Sequence, residues 1–207
     1  MFKPDKYLKK DQQYIFDFIK AHPFATFIIK GRELLATHIP VLIKGNAENF
    51  TLYGHIAEAN EQYKHLEDGL EGLLIFHGAQ GYVSSSWYKD IDISTWDYSA
   101  VHVNVKLKIQ SQEELVDSLK NLIRHFESDQ KDPVYFEDLP QDMVEDHLPL
   151  ITGFWCEPTK IQAIAKLHQG FDRDDIHSVT RHLEERKDPL SSELSKNIKK
   201  EHGTGNQ

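Results

Sequence analysis

The run Ala100-Val101-His102-Val103-Asn104-Val105-Lys106-Leu107-Lys108-Ile109 decides how this chain folds. Val101, Val103, Val105, Leu107 and Ile109 alternate with His102, Asn104, Lys106 and Lys108, the period-2 signature of a strand with one buried face. Just before it stands a knot of serines and rings, Tyr82-Val83-Ser84-Ser85-Ser86-Trp87-Tyr88 followed by Thr95-Trp96-Asp97-Tyr98. A loop rich in ring edges and hydroxyls is thus anchored to a rigid strand. Large amphipathic rings with polar tips suit a flat, partly polar heterocycle, and they equally suit the cap of a small barrel's core or a subunit interface.

Working outward, Asp11 reads as the N-cap of a helix with Tyr14, Ile15, Phe18 and Ile19 on one face, closed at His22-Pro23. Strands are predicted over 24–29, 34–43, 50–56 and 72–77, and a helix over 58–66. Ser111-Gln112-Glu113-Glu114 is a capping box opening a helix whose buried stripe is predicted as Leu115, Leu119, Leu122 and Phe126. Residues 128–138 form a polar connection, a short helix follows over 141–147, and 151–167 reads as a bent strand or strand pair with Pro158 at an edge or bulge. Many short strands with helices between them, not alternating with each strand, favour a mainly antiparallel β-barrel with flanking helices over a doubly wound sheet. Residues 1–170 are read as the barrel domain. Residues 171–207 are read as a helical extension, broken at Asp188-Pro189, with a frayed end from Gly203.

Composition bounds the function. The formal net charge is −9 over 207 residues. Residues 111–150 carry 11 acids against 3 bases, the first ten residues are basic, and the tail from Phe171 carries 8 acids and 7 bases. No dense phosphate-binding stripe emerges, so contact with DNA is expected to be weak or indirect. Cys156 is the single cysteine, which excludes an intramolecular disulfide and suits a reducing cytoplasm. No export signal leads the chain and no stretch approaches the roughly 18 apolar residues of a membrane span. Of the twelve histidines, His22, His38, His55, His65, His77 and His102 are scattered one per element, and His177 and His182, five apart, do not share a helical face; with no H-E-x-x-H and no cysteine partner, no metal site is expected.

The order of short motifs resembles that of the PaiB family, FMN-binding negative transcriptional regulators built on the split barrel that pyridoxamine-phosphate oxidases share. The matching pieces are Ala21-His22-Pro23-Phe24-Ala25-Thr26, Ala36-Thr37-His38-Ile39-Pro40, Gly54-His55-Ile56-Ala57-Glu58-Ala59-Asn60, Phe76-His77-Gly78, and Tyr82-Val83-Ser84 with Ser86-Trp87-Tyr88. Further on come Thr95-Trp96 with Tyr98, Ala100-Val101-His102, Ile151-Thr152-Gly153-Phe154, and Lys166-Leu167 with Gln169. Each is short; jointly they cover residues 1 to about 170.

The resemblance implies FMN bound at a homodimer interface. It implies cofactor contacts from Thr37, His38, His55, Ala57 and Asn60 on one set of segments, and from Ser86, Trp87, Tyr88, Trp96, Lys166 and Gln169 on another. No G-x-G-x-x-G or Walker pattern is present to cradle a phosphate, so side chains and strand-end amides must do so, with Lys166 as the one cation in a matching motif. The tail, His182 included, is expected to lie apart from the site. Four positions depart from the family's usual residues: Ser85 for proline, Asp97 for asparagine, His168 for serine and Gly170 for asparagine. If Asp97 faced the cofactor, its carboxylate would disfavour an anionic reduced flavin. Two other functions fit the same motifs, a flavin-dependent oxidoreductase using the same pocket and a cofactor-free interaction domain. No nucleophile–base pair or carboxylate dyad can be placed from the sequence, so no catalytic residue is named.

Overall fold

A computed structural model describes residues 1–204. Seven strands form one sheet in the order β2-β1-β5-β6-β7-β4-β3: β1 (Phe24–Lys30), β2 (Leu34–Pro40), β3 (Leu42–Gly45), β4 (Phe50–Ala57), β5 (Glu71–Val83), β6 (Thr95–Ile109) and β7 (Ile151–Lys166). The registered pairs β1–β2, β1–β5, β3–β4 and β4–β7 are all antiparallel. Helices are α1 (Gln12–Ala21), α2 (Gln112–Glu127), α3 (Gln141–His147), α4 (Arg173–Glu185) and α5 (Pro189–Glu201). This is the mainly antiparallel β architecture with flanking helices that the alternation predicts. Val101, Val103, Val105 and Leu107 are buried and Ile109 half-buried, while Lys106 and Lys108 are exposed.

Local differences have local causes. The predicted strand over 34–43 is two strands, divided at Val41, whose amide turns aside to bond Pro23 O at 2.7 Å. The helix predicted over 58–66 is a single 3₁₀ segment, Glu61–His65, capped by Asn60. In α2 the capping box forms as predicted, but the buried face is Leu115 and Ser118, with Leu119 and Leu122 half-buried and Phe126 exposed. Ser118 is drawn inward because its hydroxyl accepts from the buried Gln110 Nε2 at 2.8 Å. The predicted frayed end falls partly on residues 205–207, outside the described residues.

The chain divides into two compact units. One comprises 1–15, 77–101 and 162–207; the other comprises 16–76 and 102–161. In the first, Val179, Leu183, Leu194 and Ile198 of α4 and α5 bury against Ala79, Val83, Tyr88, Ala165 and Leu167. Gly81 permits this closeness: a Cβ there would stand 2.9 Å from Leu194 Cδ2. In the second, Phe27 stacks on Phe154 with centroids 5.2 Å apart. Gln62, 1 % exposed, donates to the carbonyls of Phe27 and Leu35 at 3.2 and 3.0 Å. Cys156 is fully buried, and burial pushes its thiol pKa far up, so it is inert packing.

Candidate functional site

In the first unit, β5 ends at Val83 and the chain turns through a 3₁₀ segment, Ser85–Trp87. Ser84 caps it: its hydroxyl accepts from Ser86 N at 3.3 Å and lies 2.9 Å from Ser86 Oγ. Ser85 N donates to Ser94 Oγ at 2.9 Å, closing the loop before β6. Tyr82 and Trp96 meet edge to face, centroids 6.2 Å apart, and both are exposed, Trp96 by 58 %.

Trp87 and Tyr88 behave differently. Trp87 lies flat on His182, with centroids at 5.0 Å and planes within 4°, and the Arg186 guanidinium sits 4.8 Å from its ring centre. Its carbonyl accepts from Ser178 Oγ at 2.7 Å, and Lys89 N donates to Asp175 Oδ1 at 2.8 Å. His182, expected to lie apart from the site, is therefore in direct contact with one of the residues anticipated for it. The α4 helix that brings it there offered no motif to read. Tyr88 is buried against the stacked His168 and Phe171 rings, at 5.4 and 5.1 Å. Its hydroxyl has no hydrogen-bond partner among the described residues. Burial first, and then the Asp97 charge, push its pKa up to about 12.

Asp97 does not face open space. It is 1 % exposed, its Oδ2 accepts from His168 Nδ1 at 2.8 Å, and its Oδ1 is 3.4 Å from Lys166 Nζ. The Lys166 ammonium also donates to Trp96 O at 2.7 Å and to Thr95 Oγ1. His168 is as buried as Asp97 and adopts φ +66°, a left-handed conformation that places its ring flat on Phe171, centroids 4.0 Å apart. Gly170, at φ +93°, completes the turn, where a side chain would be strained. Gln169 braces it from within, its amide donating to Ala165 O at 2.8 Å and Glu201 Oε1 at 3.0 Å while its carbonyl accepts from Leu167 N at 2.8 Å. The expected repulsion between Asp97 and a reduced flavin thus lacks its premise: the carboxylate is buried and balanced.

In the second unit, Thr37 and His38 lie on β2 opposite Phe27 and Thr26. His38 is exposed and stacks on the exposed Phe24 ring, with centroids 6.1 Å apart. His55 sits on β4 opposite Gly153, where burial lowers its pKa. Ala57 ends that strand, exposed. Asn60 is committed to local structure: its Oδ1 accepts from Gln62 N, and its own amide donates to Ala57 O, both at 2.9 Å. The eleven anticipated residues therefore fall into two sets, five in one unit and six in the other. One member of each set belongs to an exposed pair of rings, His38 with Phe24 and Trp96 with Tyr82, a surface suited to a planar heterocycle. Gln110 and Gly153, passed over or unexplained in the sequence, interlock behind His55, since a Cβ on Gly153 would stand 2.2 Å from Gln110 Oε1.

Among the described residues no helix is long and apolar enough to cross a membrane, and no group of three or more His, Cys, Asp or Glu side chains could hold a metal ion. Residues 1–160 match the family described as "Putative FMN-binding domain". Over 196 residues the chain is 28 % identical to protease synthase and sporulation protein PAI 2 of Bacillus subtilis, covering 94 % of this chain and 95 % of that protein. Among solved structures, an FAD and heme binding protein of Mycobacterium smegmatis superposes with a TM-score of 0.59 at 13 % identity, covering 83 % and 80 % of the two chains. The flavocytochrome Anf3 of Azotobacter vinelandii gives the same score and identity over 86 % and 78 %. The likeness to these structures establishes the split-barrel fold.

Proposed function

Since this chain belongs to the family of FMN-binding domains, its residues 1–160 matching that family, we propose that it holds FMN at the interface of a cytoplasmic homodimer. We further infer that it acts there as a PaiB-type negative regulator whose output follows flavin occupancy. The observation that carries the cofactor reading is the exposed Tyr82–Trp96 ring pair at 6.2 Å, beside the Ser84 and Ser86 hydroxyls. Exposed rings of this size are costly on a free surface and fitted to an isoalloxazine. Each unit by itself offers polar groups suited to the ring and ribityl chain of FMN: Thr37, His38 and His55 in one, Ser86 and Trp96 in the other. Bound flavin supplies the redox chemistry, while these residues orient it and exclude water. The second copy gives those exposed rings a partner surface, which is the argument for a dimer.

For the regulatory role the support is the extended likeness to the Bacillus sporulation protein. The net charge of −9 argues that any grip on DNA is weak or made through a patch built by dimerisation. Purified protein mixed with FMN and passed over a gel-filtration column, with sedimentation run in parallel, tests the core of this reading. Retained flavin absorbance in a dimer is expected. A monomer that emerges colourless would sink it, and flavin turnover with a nicotinamide donor in the absence of any DNA effect would move the assignment to a flavin-dependent oxidoreductase.

A further inference from the structure

An FMN site needs a partner for a phosphate dianion, and the motif residue suited to that task, Lys166, is withdrawn by the fold. Its ammonium is spent on Asp97, Trp96 O and Thr95, with the side chain 13 % exposed. Together Lys166 and Asp97 carry no net charge, so the pair presents little attraction to an anion. No other residue among the eleven carries a permanent positive charge.

The α4 helix supplies one at its C-cap, Arg186. Asp175, Ser178, His182 and Arg186 recur at intervals of three, four and four residues and so share one face of α4 and its C-cap. That face grips residues 87–89: Asp175 takes the Lys89 amide, Ser178 the Trp87 carbonyl, His182 one stacking contact with the indole and Arg186 another. A guanidinium lying against a ring keeps its in-plane N–H edges available, and that planar fork is the geometry that pairs with phosphate. Arg186 is exposed and forms no ion pair among the described residues. Asp188, whose carboxyl is held low chiefly by its bonds to Ser191 and to a smaller degree by the Arg186 charge, is occupied in capping α5 through Ser191 N at 2.9 Å. The Ser84 and Ser86 hydroxyls belong to the turn that carries Trp87.

We propose that Arg186, seated on Trp87, is the cation of this site and binds the phosphate of FMN together with the hydroxyls of the Ser84–Ser86 turn. Lys166, by contrast, is a positioning residue that ties Trp96 to the buried Asp97. The proposal rests on the flavin reading above. It assigns a cofactor role to a segment beyond the 1–160 family match.

Titrating the full-length protein with FMN and, separately, with riboflavin, followed by flavin fluorescence, tests it. Wild type should bind FMN more tightly than riboflavin. Arg186→Gln should weaken FMN by about ten- to a hundredfold, the usual loss for one charge-assisted contact, and leave riboflavin within roughly twofold. Lys166→Met should move both ligands together. Arg181→Gln, on the same helix where Arg181 pairs with Glu185, should move neither. Unchanged FMN affinity in Arg186→Gln, a selective loss of FMN in Lys166→Met, or equal wild-type affinity for the two flavins would overturn the assignment while leaving the flavin reading intact. A wild type that binds neither flavin would remove both.

Discussion

Two polar regions of this molecule start from similar materials and end differently. Around Asn60 in the second unit, the polar groups are neutral and are spent on the backbone, Asn60 capping a single 3₁₀ segment through Gln62 N and the buried Gln62 amide donating to the carbonyls of Phe27 and Leu35. Around Asp97 in the first unit, an acid, an imidazole and an ammonium are taken inside and spent on one another, with Asp97 and His168 each nearly inaccessible. The contrast bears on how departures from a motif are read. Asp97 and His168 look like two separate losses along the chain, yet they stand 2.8 Å apart across 71 residues of sequence. Each makes the other affordable: a buried carboxylate needs a donor, and a buried imidazole Nδ1–H needs an acceptor.

The sharpest way to break the comparison is to remove one partner. His168→Ala strips Asp97 of its closest donor and leaves a gap against Phe171 and Tyr88, so a loss of about 3 kcal/mol or more in unfolding free energy is expected. Asp97→Asn alone should also destabilise, because the amide can no longer balance Lys166. The double change Asp97→Asn with His168→Ser should cost clearly less than the sum of the two corresponding single changes. Urea denaturation of the four proteins closes the cycle. Additive losses would mean the two residues do not act as a pair. Asn60→Ala in the other region, by comparison, should cost about 1 kcal/mol, an ordinary cap loss.

A second prediction tests the packing behind His55. Gly153→Ala would drive a Cβ to within 2.2 Å of Gln110 Oε1 and 2.8 Å of Leu115 Cδ1, and Gln110 is held by Ser118. Overpacking of this kind costs about 1–3 kcal/mol. A melting temperature equal to wild type would show that Gln110 swings aside freely.

A smaller effect, of opposite sign, is expected at Tyr88. Its hydroxyl is buried without a hydrogen-bond partner among the described residues, so Tyr88→Phe removes a desolvated polar group and keeps the ring against His168 and Phe171. Stability should hold or rise by up to about 1 kcal/mol. A marked loss would reveal a bond to that hydroxyl.

Much of the frame was legible in the chain. The Val101 to Leu107 alternation placed the buried face of β6, the capping box placed α2, and the motif order placed the fold. What was not legible depends on contacts between distant segments. Phe126 continues a helical stripe in sequence but ends exposed, while Ser118, a polar residue, turns inward to Gln110. Lys166 reads as a free cation until Asp97 is seen beside it. His182 and Arg186 read as solvated helix residues until Trp87 is laid across them. Periodicity reports which face of an element is buried, not which polar side chain meets which.

The smallest expected effect separates buried His168 from half-buried His55. His168 has Asp97 as its partner, whereas His55 on β4 is set apart by burial, and that burial disfavours its charged form and lowers its pKa. A histidine whose folded pKa lies below its ordinary value, about 6.5, takes up a proton first in the unfolded chain. Its contribution to stability is therefore complete above roughly pH 6.5 and drains away as the pH falls toward the folded value. Replacing it with glutamine should remove that share of the acid-side decline. Thermal melts of wild type and His55→Gln in matched buffers should then run parallel above neutrality and converge or cross as the pH is lowered. The same comparison with His168→Gln should show a large loss already at neutral pH, because there the imidazole is a bonding partner. Parallel curves for His55→Gln down through the acid range would mean that this ring titrates alike in the folded and unfolded chain, and that the pocket behind β4 is wetter than its packing indicates.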